Sequence, residues 1–285
     1  MTDKEEKSRV LKVFTDVRTH RSMASLIRRH STNRDDVREV ALNGLDLGGC
    51  RNLLDLGCGF GFFTEALKGR VHPLAVITGV DVIAGYEEAF LDTCKNTGIE
   101  GRFFSAGVSL IKKFASQTFD LVLCSYALYF FPDAIAEISR IMAPDGIFVV
   151  ITHDKNNMKE LISVTKDILK KNNILKEERL PLENIISQFS SENGMEVLTP
   201  WFGRVTTVDY GNSLVFRPED GPRIVEYLSF KSPFLLSGTN VEMEWVVNLL
   251  SMQFQQPSFL RDGFTISKND RVFICSSPLD GQARR

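Results

Sequence analysis

The rhythm of apolar and polar positions changes twice along the chain. Between Arg51 and His153, short β-rich apolar runs alternate with helical stretches. The runs fall at 52–56, 74–80, 102–104, 119–124 and 147–152; helical spacing covers 62–68, 85–96, 108–114 and 133–142. Pro144-Asp145-Gly146 reads as the turn into the fifth run. Such alternation builds a parallel sheet, so the expected fold class is α/β, a doubly wound, Rossmann-like, mostly parallel sheet. Before this stretch, residues 4–30 place Val10, Val13, Phe14, Val17, Met23, Leu26 and Ile27 at helical spacing on a basic background. A second helix follows, capped by Thr32 or Asn33, with Asp35 and Asp36 in its first turn and Gly44 at its end.

After His153 the pattern predicts helices at 156–171 and 181–192, the latter stopped by Gly194, and a strand at 205–210. Helices at 218–230 and 239–254 follow. The runs Phe264-Thr265-Ile266-Ser267 and Val272-Phe273-Ile274-Cys275 flank a polar turn and read as a hairpin or terminal strand pair. The implied division is a helical N-terminal lid (1–44), a ligand-binding core (45–153), and a C-terminal part (154–285) that completes the sheet and carries an inserted helical cap.

Composition narrows the partners more than the fold. Lys and Arg number 34 against 36 Asp and Glu, a net charge of −2, which leaves no electrostatic footprint for nucleic acid or an anionic membrane. The polar start, Met1 to Lys7, is unlike a signal peptide, and no apolar run approaches the roughly 18 residues of a membrane span. A cytoplasmic protein is expected. Cys50, Cys58, Cys94, Cys124 and Cys275 are odd in number and form no C-x-x-C pair, so reduced thiols and no metal site are expected.

The chemistry concentrates where the first run ends. Leu53-Leu54-Asp55-Leu56-Gly57-Cys58-Gly59-Phe60-Gly61 is a buried strand entering a glycine-rich turn, and ligands of open α/β sheets bind outside such strand ends. A dinucleotide turn wants a small residue where this chain has Phe62, so an adenosine cofactor without phosphates fits better. Asp81 closes the second run in Ile77-Thr78-Gly79-Val80-Asp81-Val82, where a carboxylate can accept both ribose hydroxyls.

These residues resemble the class I S-adenosylmethionine-dependent methyltransferases of small-molecule type. Asp55-Leu56-Gly57-Cys58-Gly59-Phe60-Gly61 resembles the family's first motif and Asp81 its ribose-binding acid. Phe119 to Ser125 resembles the fourth-strand motif, and Ile138 to Gly146 the helix and turn before the fifth strand. The resemblance covers about residues 45–153. It implies S-adenosyl-L-methionine as cofactor and S-adenosyl-L-homocysteine as product. It implies that Asp55, Gly57, Cys58 and Gly59 surround the methionine portion, Asp81 the ribose and Val82 one adenine face, with Cys124 and Ser125 near the methionine amino group. After the third strand the family carries an acidic or polar residue, whereas this chain reads Ser105-Ala106-Gly107-Val108; adenine recognition falls to Ser105 or to the backbone at Ala106 and Gly107. Tyr129 stands where many relatives carry histidine.

Methyl transfer from a sulfonium is an in-line displacement from a donor that already carries its leaving group, so positioning and desolvation supply most of the acceleration. Tyr126, Tyr129, Phe130 and Phe131 follow the fourth strand, where an aromatic wall suits a cation, although ordinary packing explains such residues equally well. His153, with Asp154 beside it, is the best-placed base for a hydroxyl or amine acceptor, and Tyr126 is the second candidate. The basic helix with Arg18, Arg21, Arg28 and Arg29 reads as a lid; Trp201, Phe202, Tyr210, Phe216, Tyr227 and Phe230 either wall an acceptor site or pack the cap. The expected activity is methyl transfer to an O, N or C atom of a small molecule. The alternative is a catalytically silent, cofactor-binding regulatory module. Cys124-Ser125-Tyr126-Ala127 lacks the Asn/Asp-Pro-Pro-aromatic tetrad of base-flipping enzymes, which argues against a nucleic-acid substrate.

Overall fold

The structure, a computed structural model, describes residues 16–175, 179–236, 242–254, 256 and 261–279. The predicted helical positions Val10, Val13 and Phe14, and the start of the helix expected from Thr239, lie outside these residues. The chain forms two compact units. Among the described residues, one takes those within 35–154, 187–210 and 270–279, the other those within 16–34, 155–186 and 211–269. The first division therefore falls between Arg34 and Asp35, and two later segments return to the unit that holds the central stretch.

That unit is built on one seven-stranded sheet. Its strands are β1 (Asn52–Leu56), β2 (Val76–Asp81), β3 (Glu100–Ser105), β4 (Phe119–Ser125), β5 (Met142–His153), β6 (Phe202–Tyr210) and β9 (Asp270–Pro278). Their order is β3-β2-β1-β4-β5-β9-β6. The first five run parallel, and β9 lies antiparallel between β5 and β6. Leu53, Leu54, Asp55 and Leu56 are all buried, as expected of a strand covered on both faces. Its core includes Leu53, Phe63, Phe90, Leu121, Val149 and Val272. Helices α2 (Val37–Leu42), α3 (Glu87–Thr97), α4 (Ile135–Ile141) and α7 (Gly194–Leu198) belong to this unit.

The other unit joins α1 (Val17–His30), α5 (Lys159–Lys171), α8 (Gly221–Leu235) and α9 (Met243–Phe254) to a two-stranded antiparallel sheet of β7 (Ser213–Phe216) and β8 (Phe264–Ser267). Its core gathers Met23, Leu161, Phe216, Tyr227, Phe254 and Ile266. Helix α1 buries Met23 and Leu26 and leaves Arg18, Arg21, Arg28 and Arg29 exposed. Helix α6 (Pro181–Gln188) begins in this unit and ends in the sheet-bearing one. No helix among the described residues is long and apolar enough to cross a membrane.

Five local expectations need correction. The hairpin is absent, because β8 pairs with β7 while β9 enters the large sheet; Val272, Phe273 and Cys275 are buried there, as suits an interior strand. Gly194 begins a helix where it was expected to end one, and its lack of a Cβ makes room for the Phe273 ring. The helix expected at 62–68 shrinks to a 3₁₀ turn at Thr64–Leu67, with the Phe62 carbonyl taken by the Arg38 guanidinium at 2.7 Å. Asp36, whose side chain accepts the Arg38 N–H at 2.9 Å, caps the second helix. Thr32 and Asn33 hydrogen-bond Asn212 instead. Pro144-Asp145-Gly146 lies within β5 as a bulge, the pairing stepping from Phe119↔Met142 to Leu121↔Ile147.

Candidate functional site

The carboxyl ends of the parallel strands gather two clusters. The first is the turn after β1. Gly57 and Gly59 have φ of +67° and +51°, the left-handed region that glycine enters without strain. A Cβ on Gly57 would meet the Ala127 Cβ at 2.6 Å, whereas one on Gly59 would meet nothing within 4 Å. Gly57 is thus fixed by protein packing, while Gly59 offers backbone to open space. The turn is tied to β2 by the Gly57 N–H, which donates to the Val80 carbonyl at 2.8 Å. A second tie is the Gly59 N–H, which donates to Asp81 Oδ2 at 2.9 Å, and Asp81 Oδ1 accepts the Ile83 N–H at 3.0 Å. Burial holds the Asp81 carboxyl above its usual value, against the pull of these N–H donors. Both oxygens keep a further lone pair for a ligand hydroxyl.

Asp55 lies one step deeper. It is 1% exposed, and its Oδ2 accepts the Thr64 hydroxyl at 2.7 Å. Its Oδ1 is buried and has no hydrogen-bond partner among the described residues. Burial pushes this carboxyl up to about 7, with the Thr64 hydrogen bond opposing and the Asp81 charge adding to the rise. A buried carboxylate with an idle oxygen costs free energy until a donor or cation reaches it. Around it, burial also raises the Cys58 thiol well above its ordinary value, so Cys58 packs as a neutral side chain. Val82, half exposed, follows Asp81. The Ala106 N–H donates to the Asp81 backbone carbonyl at 2.9 Å, and Gly107 approaches the Val82 side chain, which brings the β2 and β3 ends side by side.

The second cluster closes β4, β5 and β9. Tyr126 takes φ +55°, a strained value for a bulky residue, immediately after Cys124 and Ser125 at the end of β4. Its N–H donates to the Ile151 carbonyl at 2.9 Å. Its hydroxyl donates to Asp270 Oδ2 at 2.7 Å, and Asp270 Oδ1 lies 2.6 Å from His153 Nδ1. The His153 ring stacks on Tyr126 at 4.7 Å and, at 6.1 Å, on Tyr129. Burial first, and then the Asp270 charge and the hydrogen bond to it, push the Tyr126 phenol well above its ordinary value. Tyr126 is therefore a hydrogen-bond donor at neutral pH and a poor base.

The structure thus brings Asp55, Gly57, Cys58, Gly59, Asp81, Val82, Ala106 and Gly107 to one end of the sheet edge and joins Tyr126 to His153 at the other. Cys124 is buried in β4, and Ser125 sits at its mouth. Asp154, expected beside His153, follows it in sequence, and a second carboxylate, that of Asp270, reaches the imidazole from β9. Sequence reading missed Asp270 and Thr64. The signal for Asp270 was its place at the head of a strand antiparallel to β5, opposite His153, which the hairpin reading concealed.

Residues 54–150 match the family model described as a methyltransferase domain. The chain is 29% identical over 127 residues to the uncharacterized methyltransferase YcgJ of Bacillus subtilis, covering 40% of this chain and 49% of that one. It is 30% identical over 122 residues to nocamycin O-methyltransferase of Saccharothrix syringae, covering 41% and 44%. These matches span about half, or less, of each relative. The crystal structure of YcgJ superposes with a TM-score of 0.50 at 14% identity, over 83% of this chain and 96% of that one, which speaks to the fold.

Proposed function

Taking residues 54–150 as a domain of the class I S-adenosylmethionine-dependent methyltransferases, we propose that the chain moves a methyl group from S-adenosylmethionine to an oxygen, nitrogen or carbon atom of a small organic acceptor. The observation that carries the reading is the joint between the two motifs: Asp81 accepts the Gly59 N–H beside a glycine that faces open space, with the idle Asp55 oxygen buried behind. Such a site wants hydroxyls at Asp81 and a positive group near Asp55, and the N–H groups of Gly57, Cys58, Gly59 and Gly61 already bond within the protein, which disfavours a pyrophosphate. The cofactor fits both demands, with its ribose and its amino acid end.

Each residue then has a role. Asp81 receives the ribose hydroxyls, Val82 covers one face of the adenine, and Ala106 and Gly107 present backbone to its edge. Gly57, Cys58 and Gly59 lie along the methionine chain, Asp55 balances its ammonium group, and Cys124 and Ser125 present backbone beside it. When bound, the cofactor supplies an electrophilic methyl group on a cationic sulfur. His153 receives the acceptor's proton, and Tyr126 and Tyr129 stack on the imidazole.

Thermal melting with the demethylated cofactor tests this. S-adenosylhomocysteine at 100 times its Kd adds about 2.7 kcal/mol to the stability of the folded state, whereas NAD at the same concentration adds nothing. A shift with NAD alone would replace the proposal with a dehydrogenase.

A further inference from the structure

The contact between Asp270 and His153 constrains more than a side-chain angle. An ionised carboxylate can only accept hydrogen bonds, and Asp270 meets the Tyr126 hydroxyl at Oδ2, 2.7 Å away, and His153 Nδ1 at Oδ1, 2.6 Å away. The carboxylate is 5% exposed and His153 8%, so water competes weakly for either bond. With its proton on Nδ1, the neutral imidazole has its lone pair on Nε2. The backbone holds the pair in register, because His153 ends β5 directly opposite Asp270, the first residue of β9. Ring stacking against Tyr126 and Tyr129 fixes the plane of the imidazole.

We propose that Asp270 is a positioning residue that locks His153 in the Nδ1-protonated tautomer with Nε2 as the base, and that the methyl acceptor is accordingly a protic group: a hydroxyl, a phenol, a protonated nitrogen or an acidic C–H. This deepens the methyltransferase reading and rests on it. In the step, the acceptor gives its proton to Nε2 and gains the methyl group as the methyl–sulfur bond breaks and its electron pair stays on sulfur. One positive charge disappears from sulfur and one appears on the imidazole, so no oxidant or reductant is needed. Asp270 stabilises the imidazolium that forms. Acceptors with no proton to lose, such as thioethers and tertiary amines, gain nothing from this arrangement.

The groups that the imidazole meets include Tyr126 and Tyr129, which follow β4, and Asp270 of β9; Tyr210 of β6 acts on Tyr126 in turn. Asp270 is the carboxylate among these, and its negative charge favours the imidazolium. Its removal lowers the affinity of His153 for a proton.

The test is nitrogen-15 NMR of the full chain, histidine-labelled and titrated from pH 5 to 9. His153 is one of four histidines and is assigned by the loss of its signals in His153→Gln. The expected wild-type spectrum shows the Nδ1–H tautomer. In Asp270→Asn the titration midpoint falls by about one pH unit or more, a roughly tenfold change in proton affinity. The neutral form also moves toward Nε2–H, since an amide can donate to Nδ1. If Asp270→Asn does not fold, the wild-type tautomer and Tyr126→Phe carry the test, the latter keeping Nδ1–H and raising the midpoint. An Nε2–H tautomer in the wild type, or an unchanged midpoint in a folded Asp270→Asn, overturns the proposal. Calorimetry with S-adenosylhomocysteine reports separately on the methyltransferase reading: absent binding sinks that reading and leaves the tautomer result intact.

Discussion

The two clusters at the strand ends are held together by opposite means. Around Gly57, Gly59 and Asp81 the contacts are mostly backbone bonds between the ends of neighbouring parallel strands, 22 residues apart at the Asp81 to Gly59 bond. Around His153 they are side-chain bonds between residues separated by 117 and 144 positions. A backbone-built site tolerates exchange of many side chains but not a change of its glycines. A side-chain site fails at a single atom. The difference teaches where each is vulnerable, and four substitutions sharpen or break it.

The largest effect belongs to Gly57→Val, which adds a Cβ 2.6 Å from that of Ala127 and a β-branch at positive φ. Calorimetry should find no binding of S-adenosylhomocysteine, and the melting temperature should fall. Next, His153→Gln should slow methylation of an accepted hydroxyl substrate by about 10²- to 10⁴-fold, the usual worth of a general base, with cofactor affinity retained. A parallel loss of affinity would merge the two clusters into one. Asp81→Ala should weaken S-adenosylhomocysteine by about 10- to 100-fold, the equivalent of a charge-assisted hydrogen bond or two. Unchanged affinity there would show that the ribose assignment is misplaced.

The last effect is a pH dependence at Asp55. Its folded carboxyl titrates at about 7, above the ordinary carboxylate value near 4. The folded chain therefore holds the proton that the unfolded chain has released, and stability falls as pH rises from about 4 through 7. Asp55→Asn removes that loss. Melting of the cofactor-free chain should be higher for the variant at pH 8, with the gap closing near pH 4; a gap that stays constant with pH would show that Asp55 does not titrate in this range.

The same contrast decides what could be read from the letters. The turn after β1 and the acid closing β2 are spelled in short contiguous runs, so Asp55, the glycines and Asp81 stand out in the sequence. The parallel strands were equally plain, because their apolar runs alternate with helical spacing. Asp270 was hidden for a physical reason: its partner is chosen by strand order, and nothing local states that β9 passes β8 to lie against β5. Asn212 was hidden similarly, drawing Thr32 and Asn33 away from the cap position that their residue types suggest. The shortened helix at Thr64–Leu67 turned on the Arg38 guanidinium 24 positions earlier, beyond the reach of any propensity.

The place of β9 has a consequence for how the protein is made. The interior of the sheet between β5 and β6 is filled by a segment that is made 117 residues after the end of β5, so β5 waits through that stretch for its neighbour. At roughly 5–20 residues per second that is on the order of ten seconds with an unpaired apolar edge open to other nascent chains. Slow codons or chaperone shortage in that window should cost yield of the folded protein more than any change to its finished stability.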